Sequence, residues 1–156
     1  MWILGLSAVL AFALSQGVKY YVVFGLGLIE SGRIDVWPPF LTFRMGWNTG
    51  INFGLFSGQP DAARWFLIVL SVIISVAIAI WAFRSFRWPS EYISAGILIG
   101  GALGNALDRL LYGAVADYLN MSCCGINNPF TFNVADIFIF AGAIGLVVFS
   151  PDKAWE

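Results

Sequence analysis

Trp65-Phe66-Leu67-Ile68-Val69-Leu70-Ser71-Val72-Ile73-Ile74-Ser75-Val76-Ala77-Ile78-Ala79-Ile80-Trp81-Ala82-Phe83 runs for nineteen residues without a charge. Crossing the hydrocarbon core of a bilayer takes about 20 mostly apolar residues. Inside that core every backbone N–H and C=O must be bonded within the segment, so a single such stretch has to be a helix. Three further segments fit the same description, at about 2–28, 92–111 and 134–149. The rest of the composition agrees. The chain has 156 residues, of which 60% are hydrophobic and only 11% charged, too apolar for a soluble domain of this size. The expected architecture is one all-α membrane domain over residues 1–156 with four transmembrane helices. Near the N-terminus, Ala13-Leu14-Ser15 has the small residues of a secretory cleavage site. No basic leader precedes it and apolar residues continue past it, so the segment is read as the first helix.

The connections are unequal. The link 29–61 contains Val36-Trp37-Pro38-Pro39-Phe40-Leu41-Thr42-Phe43, whose alternating aromatic and β-prone residues predict short strands lying at the membrane surface. The link 84–89 is short and carries Arg84 and Arg87, while the loop 118–132 has no Lys or Arg. Positively charged short links stay in the cytoplasm. That density, with Lys153 in the tail, predicts a cytoplasmic 84–89 link and both termini cytoplasmic. The links 29–61 and 118–132 then face outward.

Several chemistries are excluded early. There is no histidine, which removes His-based triads, imidazole relays and His-ligated metals. The only two cysteines are neighbours, Cys123-Cys124. Without further soft ligands they suggest no metal site, and adjacent cysteines rarely close an unstrained bridge. They are read as small loop residues. A net charge of −1 gives no basic surface for nucleic acid. No metal and no cofactor are expected.

The third segment carries the clearest helical pattern. Gly96, Gly100 and Gly104 recur every four residues, a smooth stripe that admits another helix backbone. Gly101, Asn105, Asp108, Arg109 and Tyr112 follow on a neighbouring face. Polar groups at that depth point into the bundle. Asp108 is read as a structural polar clamp; Arg109 near the outer end suits a substrate carbonyl.

Two more carboxylates flank the loop 118–132. Asp117 is expected at the end of the third helix and Asp136 at the start of the fourth. The two segments run in opposite directions, so both acids sit at one membrane face. Asn133 could cap the fourth helix, with Asp136 then an ordinary acidic residue of its first turn. Co-location shifts the reading, because carboxylates at membrane depth mark functional sites. Two that meet cannot both ionise cheaply and share a proton. One can then take a proton from water while the other polarises a peptide carbonyl and protonates the leaving nitrogen. That is peptide hydrolysis without metal or histidine.

Four blocks in order now resemble those of the bacterial lipoprotein signal peptidases, the type II signal peptidases. They are Trp47-Asn48-Thr49-Gly50-Ile51-Asn52-Phe53-Gly54, Gly101-Ala102-Leu103-Gly104-Asn105-Ala106-Leu107-Asp108-Arg109, Val115-Ala116-Asp117-Tyr118 and Phe132-Asn133-Val134-Ala135-Asp136. The resemblance implies a multi-pass aspartic peptidase of the bacterial plasma (inner) membrane. Its substrate would be a prolipoprotein carrying diacylglycerol on a cysteine, cut just before that residue, with membrane lipid around it. Asp117 and Asp136 match the catalytic dyad; Asn48, Asn105, Arg109 and Asn133 match the polar lining of the substrate pocket. The link 29–61 would be a small extracytoplasmic β cradle between helices 1 and 2. Inhibition by the cyclic peptide globomycin is implied too, and the working unit is expected to be a monomer.

One departure stands out. Where the family often has Asp-Gln-x-x-Lys, this chain has Ser15-Gln16-Gly17-Val18-Lys19, which puts in doubt a partner for Asp108 or a counter-charge for Lys19. Asn52 is also bulkier than the small residue usual there. Two other readings remain. Ser15 and Lys19, four apart on one helix face, could form a Ser–Lys hydrolase dyad. A small transporter or proton-conducting bundle could instead use Asp108, Asp117 and Asp136 to carry ions.

Overall fold

A computed structural model describes residues 1–50, 60–125 and 127–150. Ile51, Asn52, Phe53 and Gly54 of the first block, and Lys153, lie outside them.

Helix α1 spans Trp2–Tyr20 and runs on into a π-helical turn, Tyr21–Gly25. The expected first span is cut at Gly27, which sits at φ 68°, and a single helical turn, α2 (Leu28–Ser31), follows. The predicted short strands are present as β1 (Arg33–Trp37) and β2 (Leu41–Asn48), which pair as an antiparallel hairpin. Then come α3 (Pro60–Ser85), α4 (Pro89–Tyr112), β3 (Val115–Met121) and α5 (Val134–Phe149). Among the described residues two helical segments are long and apolar enough to cross a membrane, Trp2–Gly25 and Asp61–Ser85; α5 is a shorter apolar helix. The protein is mostly helical with one small sheet.

Helix ends are where the sequence dictates them. Pro89 opens α4, where its missing N–H costs nothing. The Glu91 carboxylate accepts from the backbone N–H of Arg87 (2.7 Å) and of Trp88 (2.8 Å). Gly113 closes the helix at φ 81°, a left-handed cap that a side chain would strain.

Helix α4 is the axis of the bundle, packing on α1, α5 and α3. The glycine stripe explains how close it comes to α1. A Cβ at Gly96 would lie 2.7 Å from the Leu4 carbonyl oxygen, and one at Gly100 would lie 2.9 Å from the Phe12 nitrogen. Gly101 and Gly142 do the same for α4 and α5: added Cβ atoms would stand 2.5 Å from the Ala135 and Ser94 carbonyl oxygens. Among lipid tails there is no hydrophobic gain in hiding one apolar helix against another. Close backbone packing supplies the attraction instead.

The sheet corrects one expectation. It has three antiparallel strands in the order β1-β2-β3, and the third comes from beyond α4, outside the 29–61 link. Asp117 therefore does not end a helix. Gly113 stops α4 four residues earlier, and Val115-Ala116-Asp117-Tyr118 enters the sheet with Asp117 opposite Gly46. Val22, Val23, Leu28, Ala116 and Tyr118 form a buried cluster that fastens the sheet to the end of α1.

Candidate active site

Three chain segments bring the acids together. Strand β3 carries Asp117, and the chain then returns beside it. The Phe132 carbonyl accepts from the N–H of Tyr118 (3.0 Å) and Leu119 (2.8 Å), and its own N–H donates to the Leu119 carbonyl (3.0 Å). That return delivers Asn133 to Asp117 just as α5 begins.

Asn133 caps α5. Its Oδ1 accepts from the N–H of Ala135 (2.8 Å) and Asp136 (3.2 Å), while its own N–H donates to Asp136 Oδ2 (3.0 Å). The capping and catalytic readings of Asp136 thus describe one geometry, because the capping box also aims the second oxygen inward. The Asn133 Nδ2 donates to Asp117 Oδ1 (2.6 Å) and to Asn105 Oδ1 (3.2 Å). Asn105 Nδ2 donates to Asp136 Oδ1 (2.8 Å), and Asn48 Nδ2 donates to Asp117 Oδ2 (3.0 Å). Three asparagines from β2, α4 and the head of α5 stitch the two carboxylates into one network. The link between the acids runs through amides.

Beneath lies the clamp. Lys19 and Asp108 form a buried ion pair between α1 and α4. Asp108 also accepts from Gln16 Nε2 (3.2 Å) and from the Ala116 N–H (3.1 Å), one residue before Asp117. The missing acid at Ser15 leaves neither charge alone. Ser15 is fully buried, donates to the Phe12 carbonyl (2.9 Å), and lies where a side chain on Gly104 would go. Its hydroxyl is thus turned back into its own helix and the Lys19 ammonium is committed to Asp108, which argues against a Ser–Lys dyad. Gln16, whose Nε2 also reaches the Gly104 carbonyl (3.0 Å), is a supporting residue the sequence reading did not assign. Its place one turn from Lys19 on the inward face was the available signal.

Arg109 ends at the same site. One Nη donates weakly to the Asn105 carbonyl (3.4 Å), and Nε is buried without a hydrogen-bond partner among the described residues. A Cβ on Gly50 would touch its other Nη at 3.0 Å. A cleft of about 220 Å³ opens on Asp117, lined by Gly46, Trp47, Asn48 and Thr49 on one wall and Pro129, Phe130 and Thr131 on the other. Cys123 and Cys124 are exposed free thiols in the turn beyond β3.

Burial raises the Asp117 carboxyl above its ordinary value of 3.8; the Asn133 amide pulls it down, the Asp136 charge pushes it up, and Asn48 and Lys19 pull it down. An amide donor stabilises the ionised form, so losing one raises the carboxyl further. Asn48→Ala should therefore move the limb of the pH–rate profile that Asp117 governs to higher pH. An unmoved limb, or one displaced to lower pH, would show that Asn48 does not serve Asp117.

The comparisons with known proteins bear on this geometry directly. A family model described as "Signal peptidase (SPase) II" matches residues 7–150. The chain belongs to the signal peptidase II family. The "Lipoprotein signal peptidase" of Rhodopseudomonas palustris (strain TIE-1) is 38% identical over 145 residues, covering 91% of this chain and 87% of that one. That of Methylorubrum extorquens (strain PA1) is 37% identical over 145 residues, covering 92% and 83%. Two solved structures, both described as a "Bacterial membrane enzyme structure by the in meso method", align with TM-scores of 0.78 and 0.73 at 27% identity. They cover 96% and 97% of this chain and 92% of each neighbour. As a signal peptidase II relative the protein is a protease, and the ion-carrying reading of its aspartates finds no support.

Proposed function

We propose that Asp117 and Asp136 are the catalytic pair of a membrane aspartic endopeptidase that frees diacylglyceryl-modified prolipoproteins of their signal peptides. The observation that carries this is the asparagine network, which holds both acids at one site beside an open cleft. In the resting pair one carboxyl is ionised and one protonated. The ionised one takes a proton from a water as its oxygen bonds to the carbonyl carbon preceding the modified cysteine. The protonated one donates to the carbonyl oxygen. As the tetrahedral intermediate collapses, the C–N bond breaks, the carboxyl that took the proton from water gives it to the cysteine nitrogen, and the other carboxylate takes back a proton from a hydroxyl of the intermediate, which restores the pair. Preorganised donors that already point at the charged groups reduce the cost of this charge movement.

Asn48, Asn105 and Asn133 orient the acids and line or support the substrate pocket, Asn48 from the wall of the cleft itself. Arg109, whose Nε has no hydrogen-bond partner among the described residues, binds a substrate carbonyl. Lys19 and Asp108 are structural. One copy supplies all these groups, in keeping with a monomer. Helices α1, α3, α4 and α5 cross the bacterial inner membrane, with the termini and the 84–89 link in the cytoplasm and the sheet outside. The apolar faces of α1 and α3, with Leu10, Leu14, Phe66, Ile73 and Phe83 exposed, support that placement.

The test is cleavage of a purified precursor in lipid, with and without the diacylglycerol. The two acyl chains stay in the bilayer and hold the peptide at interface depth, a far firmer anchor than one chain. The unmodified precursor should be cut at least about a hundredfold more slowly in kcat/KM, in the range that lost positioning costs. Equal rates would indicate a general signal peptidase.

A further inference from the structure

The outer wall of the cleft, Asn128–Thr131, is not a strand, yet it is held in place. Asn120, nearly buried on β3, donates both of its amide hydrogens to that wall, to the Asn128 and Phe130 carbonyls at 2.8 Å each. Ser122 Oγ accepts from the Asn128 N–H (3.1 Å) and donates weakly to Asn120 Oδ1 (3.4 Å). Asn128 Oδ1 accepts from the Phe130 N–H (3.0 Å). The facing wall is fixed independently, because Gly46–Asn48 belong to β2 and pair with β3. At Gly46 the walls come close enough that a Cβ would lie 2.6 Å from Thr131 Oγ1. The wall is thus held at one end by the backbone bridge of Phe132 to Leu119 and at the other by a polar lock, Asn120–Ser122–Asn128, three residues along β3 from Asp117.

We infer that Asn120 is a positioning residue that sets the width of a subsite for the first residues of the mature chain, those following the modified cysteine. This rests on the peptidase reading above. The direction follows from the architecture. The signal segment is apolar and belongs beside the helices, whereas this cleft lies on the sheet side of Asp117, between polar walls. The chain leaving towards water on the far side of the cut bond is the mature chain. A fixed, narrow cleft admits small side chains and turns away large ones, and it does so without touching the dyad, which Asn48, Asn105 and Asn133 hold.

Two diacylglyceryl-modified precursors that differ only in having Ser or Trp directly after the cysteine test this. The native protein should favour the Ser precursor by about tenfold or more in kcat/KM, the discrimination a shaped pocket provides. Asn120→Ala should reduce that preference to about threefold or less, mainly through KM, with kcat on the Ser precursor within about threefold of native. Ser122→Ala, a milder change, should shift it the same way, and it carries the test if Asn120→Ala does not fold. An unchanged preference in a folded variant overturns the inference, as does a native protein that cuts both precursors equally. A native protein that cuts neither overturns the peptidase reading instead, so the two failures are distinguishable.

Discussion

Asp117→Asn and Asp136→Asn should each abolish cleavage of a modified precursor, and the double variant should lose little more. Removing a member of a unit that acts together typically costs about four to six orders of magnitude in kcat, and the losses do not add. Stability should separate from activity at Asp117. Its carboxyl is raised in the folded protein, so its contribution is fully present below the ordinary value of 3.8 and is lost as pH rises through the folded value. Wherever it is ionised the buried group is a liability, and Asp117→Asn should melt no lower than the native protein. A variant that melts much earlier would mean that lost folding explains the lost activity. Substantial residual cleavage in a folded variant would remove the aspartate from the mechanism.

Lys19→Met should destabilise the protein, and it also removes a charge that holds the Asp117 carboxyl down. Breaking a buried ion pair by deleting one partner costs about 3–5 kcal/mol, because the other charge is left alone. Lys19→Met/Asp108→Leu should recover only part of this. The aspartate also accepts from Gln16 and from the Ala116 N–H, and those donors would be stranded. Melting in detergent decides the matter. Full recovery in the double variant would mean that Asp108 serves Lys19 alone.

Much of this site is legible in the chain, for identifiable reasons. The uncharged run 65–83 can only be a helix in lipid, and Gly96 and Gly100 are small because the α1 backbone lies against them, whereas Gly104 faces the Ser15 and Gln16 side chains. Asn133 and Asp136 stand at cap spacing, which places both at a helix head. What escaped is long-range. No local pattern in Val115–Met121 shows that it joins a hairpin some seventy residues earlier, so Asp117 was placed on a helix end when it belongs to a strand. Asn120 is equally silent: its partners are backbone carbonyls of a loop, and backbone carbonyls carry no sequence signature.

The amides around the dyad also have a direction. Asn133 cannot turn over, since its Oδ1 is held by two backbone N–H groups and its Nδ2 must therefore donate. Asn105 cannot turn over either, because its Oδ1 receives that donor. Of the four carboxylate oxygens, three face donors locked in this way, the third being Asp136 Oδ2 on a main-chain N–H. Asn48 is the exception. Half a rotation of its amide would present an oxygen in place of the NH2, so a hydrogen arriving on Asp117 Oδ2 finds an acceptor where one on any other oxygen would meet a donor. The network is a one-way street with a single turnstile, and the turnstile stands at the mouth of the cleft.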